Sequence, residues 1–121
     1  MDKRVLIVDD SASMRQMIRF TLTEEGCEVY EAENGRKGLE VLDTAAPDLI
    51  ITDINMPELD GIGFIQEIRK TGGYKFTPII VLTTESEKEK QEEGKKAGAT
   101  AWLVKPFTPD GLMETVRKVA G

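Results

Sequence analysis

The chain has 121 residues, 40% of them hydrophobic and 31% charged, which is material for one domain around a single closed core. Sixteen Lys and Arg against 22 Asp and Glu give a net charge of -6, which repels phosphate backbones and anionic bilayers and so disfavours nucleic-acid binding and membrane insertion. The absence of histidine removes Ser-His-Asp hydrolysis, His-ligated zinc and phosphohistidine donation.

Met1–Arg4 and the four apolar residues that follow have the pattern of neither a signal peptide nor a membrane span. Val5–Val8 is a short Val/Ile-rich run without polar alternation, which predicts a strand buried on both faces. Met14, Met17, Ile18 and Leu22 keep helical spacing, opened by Ser11 or Ser13 as N-cap and closed by Gly26. The single cysteine, Cys27, can form no internal disulfide and fits a reducing, cytoplasmic compartment. A weaker apolar pair, Val29 and Tyr30, marks a second strand. Leu39, Val41 and Leu42 belong to a second helix that stops before Pro47.

Leu49–Ile51 reads as a third buried strand, and Ile62, Ile65 and Ile68 as the stripe of a helix ending at Gly72 and Gly73. Ile79–Leu82 and Ala101–Val104 are the fourth and fifth buried strands. Between them, 87–97 is nearly all charged and contains Gly94, which predicts a loosely held helix. Leu112, Met113, Val116 and Val119 form the stripe of the last helix. Five strands alternating with five helices imply an α/β domain over residues 1–121, with a parallel sheet and helices on both faces.

In such sheets ligands gather outside the carboxyl ends of the strands. The first run ends in Asp9 and Asp10, the third in Asp53, the fourth in Thr83 and Thr84, and the fifth in Lys105. Three crowded carboxylates need a compensating cation, and oxygen ligands without His or Cys suit Mg²⁺. A cation, a lysine and a hydroxyl around a carboxylate nucleophile are the parts of a phosphoryl-transfer site that forms an acyl phosphate. Spacing alone does not say which carboxylate attacks, nor whether Thr83 or Thr84 is the exposed hydroxyl.

Over essentially its whole length the sequence resembles the receiver domain of bacterial two-component response regulators, nearest the single-domain chemotaxis (CheY-like) type. The resemblance is carried by Val8-Asp9-Asp10-Ser11, by Asp53-Ile54-Asn55-Met56-Pro57 running on to Asp60-Gly61, and by Pro78–Thr84. Gly98-Ala99 and Leu103-Val104-Lys105-Pro106-Phe107 complete it. It implies a flavodoxin-like (βα)5 fold with strand order 2-1-3-4-5. Asp53 would be the phosphoacceptor. Asp9, Asp10, Asp53 and the backbone carbonyl of Asn55 would hold Mg²⁺. Lys105, followed by a cis peptide bond to Pro106, would pair with the phosphoryl group. Thr83 would move toward that group, and Trp102 occupies the aromatic switch position where the family often has Tyr or Phe. Asn55 and Glu85 fall where the family tunes hydrolysis of the acyl phosphate.

The resemblance further implies a histidine kinase as phosphodonor and a protein target on the face of the fourth helix, fifth strand and fifth helix. A flagellar motor switch is the expected target, with room for a phosphatase partner; a phosphorelay role or another two-component pathway is the alternative. Such a switch turns over no metabolite. Three other classes compete. An aspartate-nucleophile phosphatase needs a second carboxylate two residues after the nucleophile, where this chain has Asn55. A dinucleotide module needs a G-x-G-x-x-G after the first strand, which is missing. A pseudo-receiver that binds without phosphorylation is disfavoured by the full set of Asp9, Asp10, Asp53, Thr83 and Lys105. No helix-turn-helix or basic stretch suggests a DNA-binding output.

Overall fold

The computed structural model describes residues 1–84 and 88–120. Five strands alternate with five helices: β1 (Arg4–Val8), α1 (Ala12–Glu24), β2 (Glu28–Ala32), α2 (Gly35–Ala45), β3 (Leu49–Asp53), α3 (Gly61–Lys70), β4 (Ile79–Thr84), α4 (Lys88–Ala97), β5 (Ala101–Lys105) and α5 (Pro109–Ala120). The strands form one parallel sheet in the order β2-β1-β3-β4-β5, the flavodoxin-like arrangement that the resemblance implies. The order reverses between β1 and β3, which opens a crevice at their carboxyl ends.

Successive strand residues face opposite sides of the sheet, so each apolar run feeds two cores. Val5, Ile7, Leu49, Ile51, Ile80 and Leu82 pack with α1 and α5. Leu6, Val8, Ile50, Ile79 and Val81 pack on the other face against residues of α2 and α3. Fully burying side chains of this size stabilises the fold by roughly 1.5–3 kcal/mol each before entropy is counted.

Local chemistry sets the helix ends. Ser11 is the N-cap of α1, its Oγ accepting from the Met14 N–H at 3.2 Å. The chain leaves that helix through Gly26 at φ 87°, a left-handed conformation that costs a glycine nothing. Asn34 and Asp60 cap α2 and α3 through Lys37 N–H and Gly63 N–H, both at 2.9 Å. A cap of this kind is worth about 1 kcal/mol.

Two expectations are corrected. The run Ala101–Val104 is not buried on both faces: all of β5 is half-buried, because it is the outer strand and pairs only with β4. In α3 the fully buried stripe is Phe64, Ile65 and Ile68, with Ile62 only partly covered. Phe64 takes the central place because Gly38 on α2 leaves room for its ring, which a Cβ there would meet at 2.8 Å. In the charged stretch Lys88–Ala97 forms a helix, α4, whose buried residue is Gly94, and Glu87 lies outside the described residues.

Gly61 opens α3 hard against the end of β3. A Cβ at this position would lie 2.3 Å from the Asp53 carbonyl oxygen and 2.8 Å from Ile54 Cα, and backbone cannot swing aside. Gly72 has open space around it. Gly61→Ala is therefore expected to cost about 1–3 kcal/mol of unfolding free energy or more, with Gly72→Ala close to neutral. Urea denaturation of the two variants checks this; equal midpoints would contradict the close approach.

Candidate functional site

The two-residue period of the strands decides which polar side chains meet. Asp9 continues the series Val5, Ile7; Asp53 continues Leu49, Ile51; Lys105 continues Leu103, and all three series face the α1–α5 side. Asp9 is fully buried and Asp53 is 8% exposed. Asp10, one residue on, is exposed. One carboxylate oxygen from each of the three lies within 4.8 Å of the others.

Lys105 is the counter-ion. Its Nζ lies 3.3 Å from Asp53 Oδ1 and 3.6 Å from Asp9 Oδ2. Asp53 Oδ1 also accepts from the Ile54 N–H at 2.9 Å. Asp9 Oδ1 accepts from the Ser11 N–H at 2.8 Å, whereas its Oδ2 is buried without a hydrogen-bond partner among the described residues. Three carboxylates against one ammonium leave a formal charge of −2. Burial pushes the Asp53 carboxyl above its usual value of 3.8, and the neighbouring Asp9 charge adds to this; Lys105 and the Ile54 N–H oppose it without cancelling it. An orphaned buried oxygen, oxygen-only donors and a deficit of two positive charges together fit a hard divalent cation.

The remaining expected residues fall around this centre. Asn55 is exposed two residues past Asp53. Thr83 and Thr84 separate by the same parity. Thr84 is exposed, while Thr83 is fully buried on the α4 side and its Oγ1 accepts from Gln91 Nε2 at 3.1 Å. Trp102 is half-buried on β5 opposite Val81 and packs on the same core face. The Lys105–Pro106 peptide bond is cis. Glu85 lies outside the described residues.

Two participants escaped the sequence. Gln91 ties Thr83 to α4, and its signal is that it alone among 88–93 carries no charge. Arg15 donates from Nη1 to the Asp9 carbonyl oxygen at 2.6 Å. Its signal is a helical spacing of three from Arg15 to Ile18, which turns it toward the buried side of α1.

Comparison with known proteins identifies the arrangement. The model of the response regulator receiver domain matches residues 5–117. The chain belongs to the receiver domain family. This receiver is closely related to CheY chemotaxis response regulators, signalling proteins rather than metabolic enzymes. It is 42% identical to chemotaxis protein CheY1 of Helicobacter pylori over 120 residues, spanning 98% of this chain and 97% of that protein. Chemotaxis response regulator CheY4 of Vibrio cholerae is 49% identical with a TM-score of 0.93, covering 98% of this chain and 99% of its own. The receiver domain of sensor histidine kinase PA1611 from Pseudomonas aeruginosa is 26% identical with a TM-score of 0.90, covering 100% and 99%; its structure has a magnesium ion coordinated in the active site cleft. Among the described residues no helix of this receiver is long and apolar enough to cross a membrane.

The raised Asp53 carboxyl has a definite consequence for stability. Its proton is held more tightly folded than unfolded, so the native state loses stability as pH climbs from 3.8 through the raised value. Asp53→Asn lacks that loss. In EDTA the variant is expected to melt above the parent at neutral pH, the difference closing toward low pH. Added divalent cation should reverse the order. Thermal melts across pH check it, and a variant less stable than the parent in EDTA at neutral pH would contradict the electrostatic account.

Proposed function

We propose that Asp53 accepts a phosphoryl group from the phosphohistidine of a partner histidine kinase, with Mg²⁺ bound by Asp9, Asp10, Asp53 and the Asn55 backbone carbonyl. One observation carries the reading: a single ammonium shared by two buried carboxylates, one of which has an oxygen without a hydrogen-bond partner. The magnesium ion in the Pseudomonas relative supports the choice of metal. When bound, Mg²⁺ supplies the positive charge that lets an anionic phosphoryl group approach three carboxylates.

The chain's own groups do the positioning. Lys105 and the Ile54 N–H converge on Asp53 Oδ1, which leaves Oδ2 as the oxygen to bond phosphorus. As that O–P bond forms, the P–N bond to the donor imidazole breaks, and the imidazole leaves with the electron pair and takes up a proton. Lys105 then neutralises an equatorial oxygen. Hydrolysis of the acyl phosphate resets the site, with Asn55 and Glu85 as the side chains that set its rate. The domain spans residues 1–121 and works in the cytoplasm.

Output runs through Thr83 and Trp102. The Thr83 hydroxyl is held by Gln91 on α4. A phosphoryl oxygen that accepts from this hydroxyl draws the Thr83 side chain toward it and away from Gln91, which alters the seating of α4, whose buried residue is only a glycine. Trp102 lies on the same face and responds with it. The α4–β5–α5 face then changes affinity for a protein target, which for a close relative of CheY is the flagellar motor switch; a phosphatase would act on the same phosphorylated state.

Intact mass after incubation with acetyl phosphate tests the chemistry. The expected result is one added phosphoryl group that requires both Mg²⁺ and Asp53, absent in EDTA and in Asp53→Asn, with a parallel change in emission from the single tryptophan, Trp102. An unchanged mass in the presence of Mg²⁺ would sink the reading and favour a receiver that binds partners without phosphorylation.

A further inference from the structure

Asp10 is the exposed member of the acid trio and lies beyond the last paired residue of β1, so the sheet does not hold the peptide that carries it. The carbonyl of that peptide belongs to Asp9. It accepts from Arg15 Nη1 at 2.6 Å, and the same guanidinium donates through Nε to Glu31 Oε1 at 3.1 Å. Glu31 stands on β2 opposite Ile7, and its second oxygen accepts from Arg19 Nη1 at 2.6 Å. Arg15 and Arg19 are one helical turn apart on α1, but they differ in environment. The Arg15 side chain is 18% exposed and the Arg19 side chain 51%.

Asp9 is thus fixed at three of its four polar atoms. Its N–H donates to the Ala32 carbonyl at 3.1 Å, its Oδ1 accepts from Ser11, and its carbonyl accepts from Arg15. Only Oδ2 has no hydrogen bond among the described residues, with Lys105 Nζ 3.6 Å away. The Arg15 contact is the one of the three made by a side chain from outside the segment and its strand pairing. It orients the Asp9–Asp10 peptide plane, and through it the direction in which Asp10 leaves the backbone. Glu31 matters as well, because an unpaired guanidinium this close would repel a divalent cation.

We propose that Arg15 is a positioning residue for the divalent-cation site: by clamping the Asp9 carbonyl against Glu31 it presets the Asp10 carboxylate for the ion. This rests on the cation-binding reading above. Groups that orient metal ligands from outside typically change affinity about 10–100-fold when removed, and that is the effect assigned to Arg15. A lysine carries a point charge without the planar fork and cannot serve both the carbonyl and Glu31 in this way.

Calorimetric titration of the full chain with MgCl₂ tests the proposal, with melts in EDTA as the separate measure of folding. Arg15→Met keeps the aliphatic stem and removes the donors; about a 10–100-fold weaker Mg²⁺ affinity is expected. Arg15→Lys should recover part of it. Arg19→Met breaks the outer ion pair of the same network and should titrate like the parent. Parental affinity in Arg15→Met, or an equal loss in Arg19→Met, overturns the assignment. Should Arg15→Met fail to fold, Arg15→Lys decides: several-fold weaker binding supports the clamp, and unchanged binding refutes it. A parent chain that takes up no Mg²⁺ overturns the cation reading itself, which separates the two failures.

Discussion

Two carboxylates buried side by side at the end of a sheet repel one another, and neither has enough water to relieve it. Asp9 and Asp53 are in that position because β1 and β3 are hydrogen-bonded neighbours in matched register, with Val8 opposite Thr52. Lys105 reaches them from β5, two strands from β3 and three from β1, and cannot balance them alone. Backbone N–H groups of Ser11 and Ile54 hold one oxygen of each carboxylate, and Asp9 Oδ2 stays buried with no hydrogen-bond partner among the described residues. A site built in this way is poised for positive charge, and any anion approaching it meets net repulsion until that charge has arrived.

Much of this was legible in the sequence for a simple reason. A strand buried on both faces is written in Val, Ile and Leu, so the first charged residue after it marks the carboxyl end of the sheet, and Asp9, Asp53 and Lys105 stand out on that ground. Their convergence follows from the period of two, since each is an even number of residues from an apolar side chain facing α1 and α5. The same period separates Thr83 from Thr84. It could not be applied from the run alone, because a run apolar at every position does not say which face a given residue takes.

What stayed hidden depends on placement between elements. The outer position of β5 is a property of strand order, and Ala101–Val104 is apolar enough to read as central. Phe64 displaced Ile62 from the buried stripe because of a glycine on another helix, Gly38, far away in the chain. Arg15 and Gln91 each reach a strand-end group through a single hydrogen bond. Side chains of this length act at distances that no local pattern records.

The two helices that flank β4 are anchored very differently. At Gly61, α3 touches the backbone of Asp53 and Ile54, and it buries Phe64, Ile65 and Ile68. The other, α4, buries only Gly94 and presents Lys and Glu to solvent. Substitutions on its outward face therefore cost the core almost nothing, while the same number on α3 would disturb the strand that ends in Asp53. The exposed surface of α4 can drift from one lineage to another, and the acidic cluster at the strand ends can stay as it is. A single scaffold can in this way be rewired to new listeners without relearning its chemistry.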